Sequence, residues 1–203
     1  MNPSQKKISG IILAAGSGSR MGKTKQILPF ASTTLLGRVI QNARESALYE
    51  IIVVLGHDAK KICKVVNFSG TKIVRNKEYK KGQSTSLIAG LENVSPLCSA
   101  AMFILADQPF VTAAIINKLI DALKTPEDRI AVPYCSGRRG NPVIIGNTFF
   151  GRIKSLSADT GARVLFDEFK EAVLKVTIQD NAILIDVDTM DDYKKLILKT
   201  QGV

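Results

Sequence analysis

Three cations follow a glycine-rich turn near the start of the chain, within Ile11-Ile12-Leu13-Ala14-Ala15-Gly16-Ser17-Gly18-Ser19-Arg20-Met21-Gly22-Lys23-Thr24-Lys25. Glycines let backbone N–H groups crowd an anion, and serines add hydroxyl donors. Arg20, Lys23 and Lys25 supply the charge to neutralise a polyphosphate. A plain surface turn with solvated lysines is the alternative, but glycines and cations concentrated directly after an apolar run favour phosphate binding. Two familiar phosphate loops do not fit. A Walker A loop ending in Gly22-Lys23-Thr24 needs its first glycine where this chain has Ser17. A dinucleotide Gly-x-Gly-x-x-Gly turn matches Gly16 and Gly18 but meets Met21 at its third position.

A second chemical signal is Asp107, in Asp107-Gln108-Pro109 after the apolar run Met102–Ala106. Ligands of open α/β sheets bind outside the carboxyl ends of the strands, so Asp107 is expected at the same edge as the glycine loop. A carboxylate there is costly unless it is solvated or holds a cation. Magnesium suits it, being bound by one or two carboxylates plus substrate phosphates. An N-cap or turn role is the alternative. Further on, Asp186-Val187-Asp188-Thr189-Met190-Asp191-Asp192 gathers four carboxylates. Asp191 and Asp192 suit the first turn of a helix. Asp186 and Asp188 alternate and would share a face if extended; Asp188 is expected to complete a metal site with Asp107. The single histidine, His57, is expected as a turn or cap residue.

These groups need a scaffold. The chain has 203 residues, 45% of them hydrophobic, enough for one α/β domain over residues 1–203. No apolar run is long enough to span a bilayer, and the polar start Met1–Lys7 lacks the apolar segment of a signal peptide. Cys63, Cys98 and Cys135 form no Cys-x-x-Cys pair, which argues against disulfides or zinc. A cytoplasmic setting is therefore expected. The net charge of +10 favours anionic partners. The lysines are scattered and tryptophan is absent, so nucleic-acid binding is not expected.

Apolar runs alternate with helical patterns, which predicts a mostly parallel sheet covered on both faces. Strands are expected at Ile8–Ala15, Glu50–Leu55, Lys72–Arg75, Ala100–Leu105, Ile130–Tyr134 and Pro142–Ile145. Val173–Thr177 and Ala182–Ile185 are expected as further strands, a hairpin arm. Helices are expected at Leu35–Ala47, Asp58–Val66, Ser84–Leu91, Val111–Leu123, Thr148–Ile153, Gly161–Phe169 and Met190–Leu198.

Leu13-Ala14-Ala15-Gly16-x-Gly18-x-Arg20-Met21-Gly22, followed by Lys25 and Leu28-Pro29-Phe30, resembles the signature of the MobA-like nucleotidyltransferases. The likeness continues through Gly82-x-Ser84-x-Ser86-Leu87, Leu105-Ala106-Asp107-Gln108-Pro109, Arg139-Gly140-Asn141-Pro142, Asp159-x-Gly161-Ala162-Arg163 and Asp186-Val187-Asp188-Thr189. It is nearest to the molybdenum cofactor cytidylyltransferase branch, whose double alanine matches Ala14-Ala15. The resemblance implies a three-layer Rossmann-like nucleotide-diphospho-sugar transferase fold. It implies a magnesium-dependent enzyme that joins CTP to molybdopterin with release of pyrophosphate, and a recipient molybdenum hydroxylase. By the same resemblance Arg20, Lys25 and Asp107 are catalytic, and Asp107 and Asp188 hold magnesium. Leu13, Ala14, Ala15, Gly16, Gly18, Gly82, Ser84 and Ser86 join them around the nucleotide. Gln108, Arg139, Gly140, Asn141, Pro142 and Gly161 face the pterin acceptor. Two positions depart from the family's habit: Asn141 stands where His is frequent, and Gln83 where Met is. The alternatives are a relative using GTP or another phosphorylated acceptor such as a sugar phosphate, and a non-catalytic cofactor chaperone.

Overall fold

The run Ile8-Ser9-Gly10-Ile11-Ile12-Leu13-Ala14 forms the central strand β1 (Ile8–Ala14), and nearly all of it is buried. A strand apolar on both faces needs cover on both sides. The computed structural model describes residues 6–17, 21–157 and 161–201. After β1 come a small hairpin, β2 (Pro29–Phe30) and β3 (Thr33–Thr34), and then α1 (Leu35–Arg44), β4 (Glu50–Leu55), α2 (Ala59–Val65) and β5 (Lys72–Arg75). The middle of the chain supplies α3 (Gln83–Leu91), β6 (Ala100–Leu105), α4 (Ala113–Ala122), β7 (Ile130–Cys135), β8 (Arg138–Arg139) and β9 (Val143–Gly146). Helices α5 (Phe150–Lys154) and α6 (Val164–Glu168), strand β10 (Val173–Thr177) and helix α7 (Met190–Gln201) complete it.

The main sheet runs β10-β7-β9-β6-β1-β4-β5, with β8 paired to β7. Its pairs are parallel except where β9 meets β6 and β7, and where β8 meets β7. This is the mixed α/β, mostly parallel architecture that the alternation predicts. Its two faces carry separate cores. One packs Ile8 and Ile12 against Leu36, Val39 and Ile40 of α1, Ile62 of α2 and Ile116 of α4. The other packs Ile11, Ile52 and Phe103 against Leu87 of α3, Ile153 of α5 and Phe166 of α6. A third cluster joins Met21 and Phe30 to Val187 and Leu196, so the final helix lies against the small hairpin.

Register sets the site. Leu13 lies opposite Leu105, and Ala14 opposite Leu55, so β1, β4 and β6 leave the sheet at one edge. Helices α1, α2 and α4 are shorter than hydrophobic spacing suggests, whereas α3 begins one residue earlier and α7 runs on to Gln201; capping residues help to set such ends. Thr34 accepts from Gly37 N at 3.0 Å and Thr112 from Ile115 N at 3.4 Å, fixing the starts of α1 and α4. The helix expected at Gly161–Phe169 is confined to Val164–Glu168. The turn expected between β7 and β9 holds the two-residue strand β8, reached through Ser136 (φ 49°) and Gly137 (φ 76°). Two central residues with positive φ make a hairpin turn whose twist matches its strands, and glycine adopts the second without strain.

One element differs in kind. Ala182–Ile185 is not a strand and makes no hairpin arm: Asn181–Leu184 is a 3₁₀ turn, and β10 pairs in parallel with β7 instead. Asp180 starts the turn by accepting from Ala182 N at 2.8 Å. The turn carries Ile183 back over the sheet end, where its carbonyl accepts from Asn141 N at 3.1 Å. β-branched composition favours a strand locally, and tertiary contacts override it.

Candidate functional site

The strand edge opens into a cleft of ≈ 700 Å³. The backbone from Leu13 to Ser17 forms one wall and Gly82, Gln83 and Ser86 another, with Lys25 and Asp107 between them. The glycine loop is held from below by Gln26, which is 2% exposed. Its amide donates to the carbonyls of Ala14 at 3.2 Å and Gly16 at 3.1 Å. The opposite wall depends on Gly82, whose φ of 113° and ψ of 174° suit glycine alone. Asn76 joins this wall to β4: its N–H donates to the Leu55 carbonyl, and its amide to Ser86 Oγ at 3.0 Å.

Charge gathers at the centre. Lys25 Nζ lies 2.6 Å from Asp107 Oδ2 and 3.1 Å from Asp188 Oδ1. Burial alone would lower the Lys25 pKa; the charges and hydrogen bonds of Asp107 and Asp188 outweigh it and hold the ammonium above its ordinary value. Asp186 is pushed up, first by burial and then by the Asp107 charge. Val187 N donates to the Asp107 carbonyl at 3.0 Å, which brings the acidic segment beside the end of β6.

A divalent cation fits this set. The Asp107 Oδ1 atom is buried and has no hydrogen-bond partner. Three carboxylates, Asp107, Asp186 and Asp188, interact around one ammonium, so acidic groups outnumber the cation among them. The donors are hard oxygens, which suit magnesium or manganese. Among the described residues no three acidic, His or Cys side chains form a ready-made cage. The remaining ligands would therefore be phosphate oxygens and water, as magnesium sites commonly use.

The predicted nucleotide residues Leu13, Ala14, Ala15, Gly16, Lys25, Gly82, Ser86 and Asp107 all line the cleft. Ser84 is 1% exposed and not part of its wall. Gly18 and Arg20 lie outside the described residues, as does Asp159. The residues predicted to meet the acceptor form a separate group. Gln108 is 1% exposed, and its amide is turned inward to the Ile183 carbonyl at 3.3 Å and to Asp186 Oδ1 at 2.7 Å. Gly140 and Pro142 are buried, and a Cβ on Gly140 would collide with Ile183. Asn141 is half-buried; Arg139 is exposed, its guanidinium 5.1 Å from the Phe166 ring centre. Gly161 lies against Gln83, so the segment leading into α6 links the nucleotide cleft to Arg139.

Sequence reasoning missed several wall residues. Tyr79, Lys80 and His57 line the cleft. His57 Nδ1 faces the Tyr79 hydroxyl at 3.5 Å, and Nε2 lies 3.6 Å from Asp58 Oδ1. An adjoining cavity of ≈ 470 Å³ shares Ser17 and His57 with the cleft and adds Lys23 and Lys61. Thr24 donates to Asp58 Oδ2 at 2.5 Å, and that bond is the main cause of the lowered Asp58 pKa. The available signal was local: Gln26 follows Lys25 directly, and Tyr79-Lys80-Lys81 runs straight into Gly82.

Known proteins resemble the chain in sequence and fold. A family model described as the MobA-like NTP transferase domain matches residues 10–173. The nicotine blue oxidoreductase of Paenarthrobacter nicotinovorans is 27% identical over 198 residues, covering 94% of this chain and 96% of that protein. The molybdenum cofactor cytidylyltransferase of Escherichia coli K12 is 28% identical over 192 residues, covering 92% and 93%. The crystal structure of Rv0371c from Mycobacterium tuberculosis H37Rv has a TM-score of 0.87 and 31% identity, covering 96% of this chain and 99% of that one. A complex of Rv0371c with manganese has a TM-score of 0.82 and 30% identity, covering 98% and 100%. Among the described residues no helix is long and apolar enough to cross a membrane.

Proposed function

The chain belongs to the MobA-like NTP transferase family, and from that premise we propose that it transfers the cytidylyl group of CTP to molybdopterin, releasing pyrophosphate. The product is the cytosine dinucleotide form of the cofactor, destined for a molybdenum hydroxylase. The observation that carries the reading is the Lys25 ammonium set between Asp107 and Asp188 at the floor of a cleft walled by the glycine loop. Positive charge, carboxylates and free backbone on one strand edge suit a nucleoside triphosphate with a divalent cation. The choice of CTP rests on Ala14-Ala15.

In this mechanism a phosphate oxygen of the acceptor attacks the α-phosphorus of CTP. The bond from that phosphorus to the β-phosphate bridge breaks, and its electrons leave with pyrophosphate. A phosphate monoester has a second pKa of about 6, so it is largely dianionic at neutral pH and needs no general base. This accords with a lone histidine engaged by Tyr79 and Asp58 in the cleft wall. The chain's task is to bring one anion onto another. Lys25 and Arg20 screen the triphosphate, and the backbone from Ala15 to Ser17 cradles it. Asp107 and Asp188 would hold magnesium, which when bound stabilises the charge on the leaving pyrophosphate. Arg139 and Asn141 face the acceptor, with Gln108 and Ile183 fixing the segment that carries them.

The test is pyrophosphate release from CTP and from GTP with magnesium, with and without molybdenum-loaded molybdopterin. Release that requires the pterin and prefers CTP is expected. Preference for GTP overturns the role given to Ala14-Ala15, and no release with either nucleotide overturns the acceptor assignment. Asp107→Asn should lower kcat/KM at least about 100-fold, equivalent to roughly 2.7 kcal/mol of transition-state stabilisation.

A further inference from the structure

Lys25 has two neighbours that the reaction needs for something else. Its ammonium donates to Asp107 Oδ2 at 2.6 Å, to Asp188 Oδ1 at 3.1 Å and to the Val187 carbonyl at 3.4 Å. An ammonium has three N–H donors, and these contacts use all of them. The Lys25–Asp107 pair is sheltered, with side-chain exposures of 14% and 19%, while Asp188 at 43% keeps one side open to solvent. The two carboxylates assigned above to a divalent cation are thus already bound to a cation that the chain itself supplies. Any ion that takes them must displace Lys25 or share its partners.

We propose that Lys25 is an exchangeable counter-cation: it occupies the carboxylates, weakens their hold on free divalent cations, and releases them when a triphosphate offers it phosphate oxygens instead. This rests on the assignment of Asp107 and Asp188 as cation ligands. Three features make the exchange feasible. Lysine carries its charge on a flexible stem of four carbons, so the ammonium can swing without backbone movement. The backbone beneath it stays put, because Gln26 ties the adjacent position to Ala14 and Gly16. Phosphate oxygens in the same cleft replace carboxylate oxygens as charge-assisted acceptors. Nucleotide and divalent-cation binding are then coupled through one side chain, and that coupling is reciprocal. The functional result is a centre that takes up its cation together with the nucleotide and resists loading without one.

A structural salt bridge alone would hold the fold together without setting ion affinity, and general charge repulsion would act from any nearby lysine. Titration of the full chain with manganese(II), without nucleotide and followed by the paramagnetic signal of the free ion, separates these. Lys25→Met should bind manganese(II) at least about tenfold tighter than the unmodified chain, within the usual range for coupled sites. Lys25→Arg, which keeps charge and donors, should stay near the unmodified value. Lys80→Met removes a cleft-lining cation outside the Asp107–Asp188 pairs and should change affinity by less than about twofold. Lys25→Gln repeats the measurement if the Met variant does not fold. Equal affinity in Lys25→Met and the unmodified chain, or equal gains in Lys25→Met and Lys80→Met, overturns the proposal. Asp107→Asn should weaken manganese(II) binding in every background. If it does not, the ligand assignment itself falls, independently of the lysine and of which nucleotide the enzyme prefers.

Discussion

Replacing Gln26 by Met tests whether the phosphate loop is preorganised from beneath. Met is unbranched and similar in length, so the packing is retained while both amide donors are lost. Gln26 is 2% exposed and supplies bonds of 3.2 Å to the Ala14 carbonyl and 3.1 Å to the Gly16 carbonyl. The Ala14 carbonyl keeps its place in the ladder opposite Leu55 but loses a buried second contact, which costs about 0.5–1.5 kcal/mol. Gly16 is exposed, so water can replace the second bond and the loss there is about 0.5–1.5 kcal/mol. The sum is about 1–3 kcal/mol. With a urea slope of about 2 kcal/mol/M, the unfolding midpoint should fall by about 0.5–1.5 M. The same loosening should raise KM for the nucleotide more than it lowers kcat, because the loop must be re-ordered on binding. Urea titration by circular dichroism and steady-state pyrophosphate release measure the two effects. A midpoint shift under about 0.3 M with unchanged KM would refute the argument, since neither the burial nor the loop support would then carry energy.

Two further outcomes follow from the packing. Gly90 is where α3 crosses β1, and a Cβ there would lie 2.5 Å from Ile11 Cγ2. Gly90→Val should destabilise by at least about 2 kcal/mol in thermal unfolding despite a slightly better helix former; an unchanged or higher Tm would disprove the close approach. Cys63 is exposed, whereas Cys98 and Cys135 are buried. Burial, together with Glu50, pushes the Cys98 thiol up to about 12, so at pH 8 it should stay protonated and inert. Timed labelling with a thiol reagent should find one fast thiol in the native protein and three after denaturation; a second fast thiol contradicts the burial of Cys98 or of Cys135.

How much could be foreseen depended on whether the signal was local. The run Ile8–Ala15 is almost wholly apolar and short, and with a glycine-rich turn after it such a run reads as a covered central strand. Glycine beside cations directly after it is local chemistry, as is Asp107 at the end of another apolar run. Capping threonines set helix ends that hydrophobic spacing alone overshot, as at Val111–Leu123, where Thr112 caps a helix that begins at Ala113. The stretch Ala182–Ile185 misled because its composition favours a strand. Its place is decided by partners far away in the chain, Asn141 and Gln108, which both donate to the Ile183 carbonyl.

The sequence by itself therefore determined the covered parallel sheet, the phosphate loop, and the kinds of residue at its edge. Those properties follow from the periodicity and chemistry of neighbouring residues. Only the tertiary structure decided which charges meet. Lys25 reaches Asp107 across 82 positions and Asp188 across 163, because parallel register brings the ends of β1 and β6 together and Val187 ties the acidic segment beside them. Spacing along a chain carries no record of such a meeting, since the strands, turns and cores that produce it are set by the whole fold.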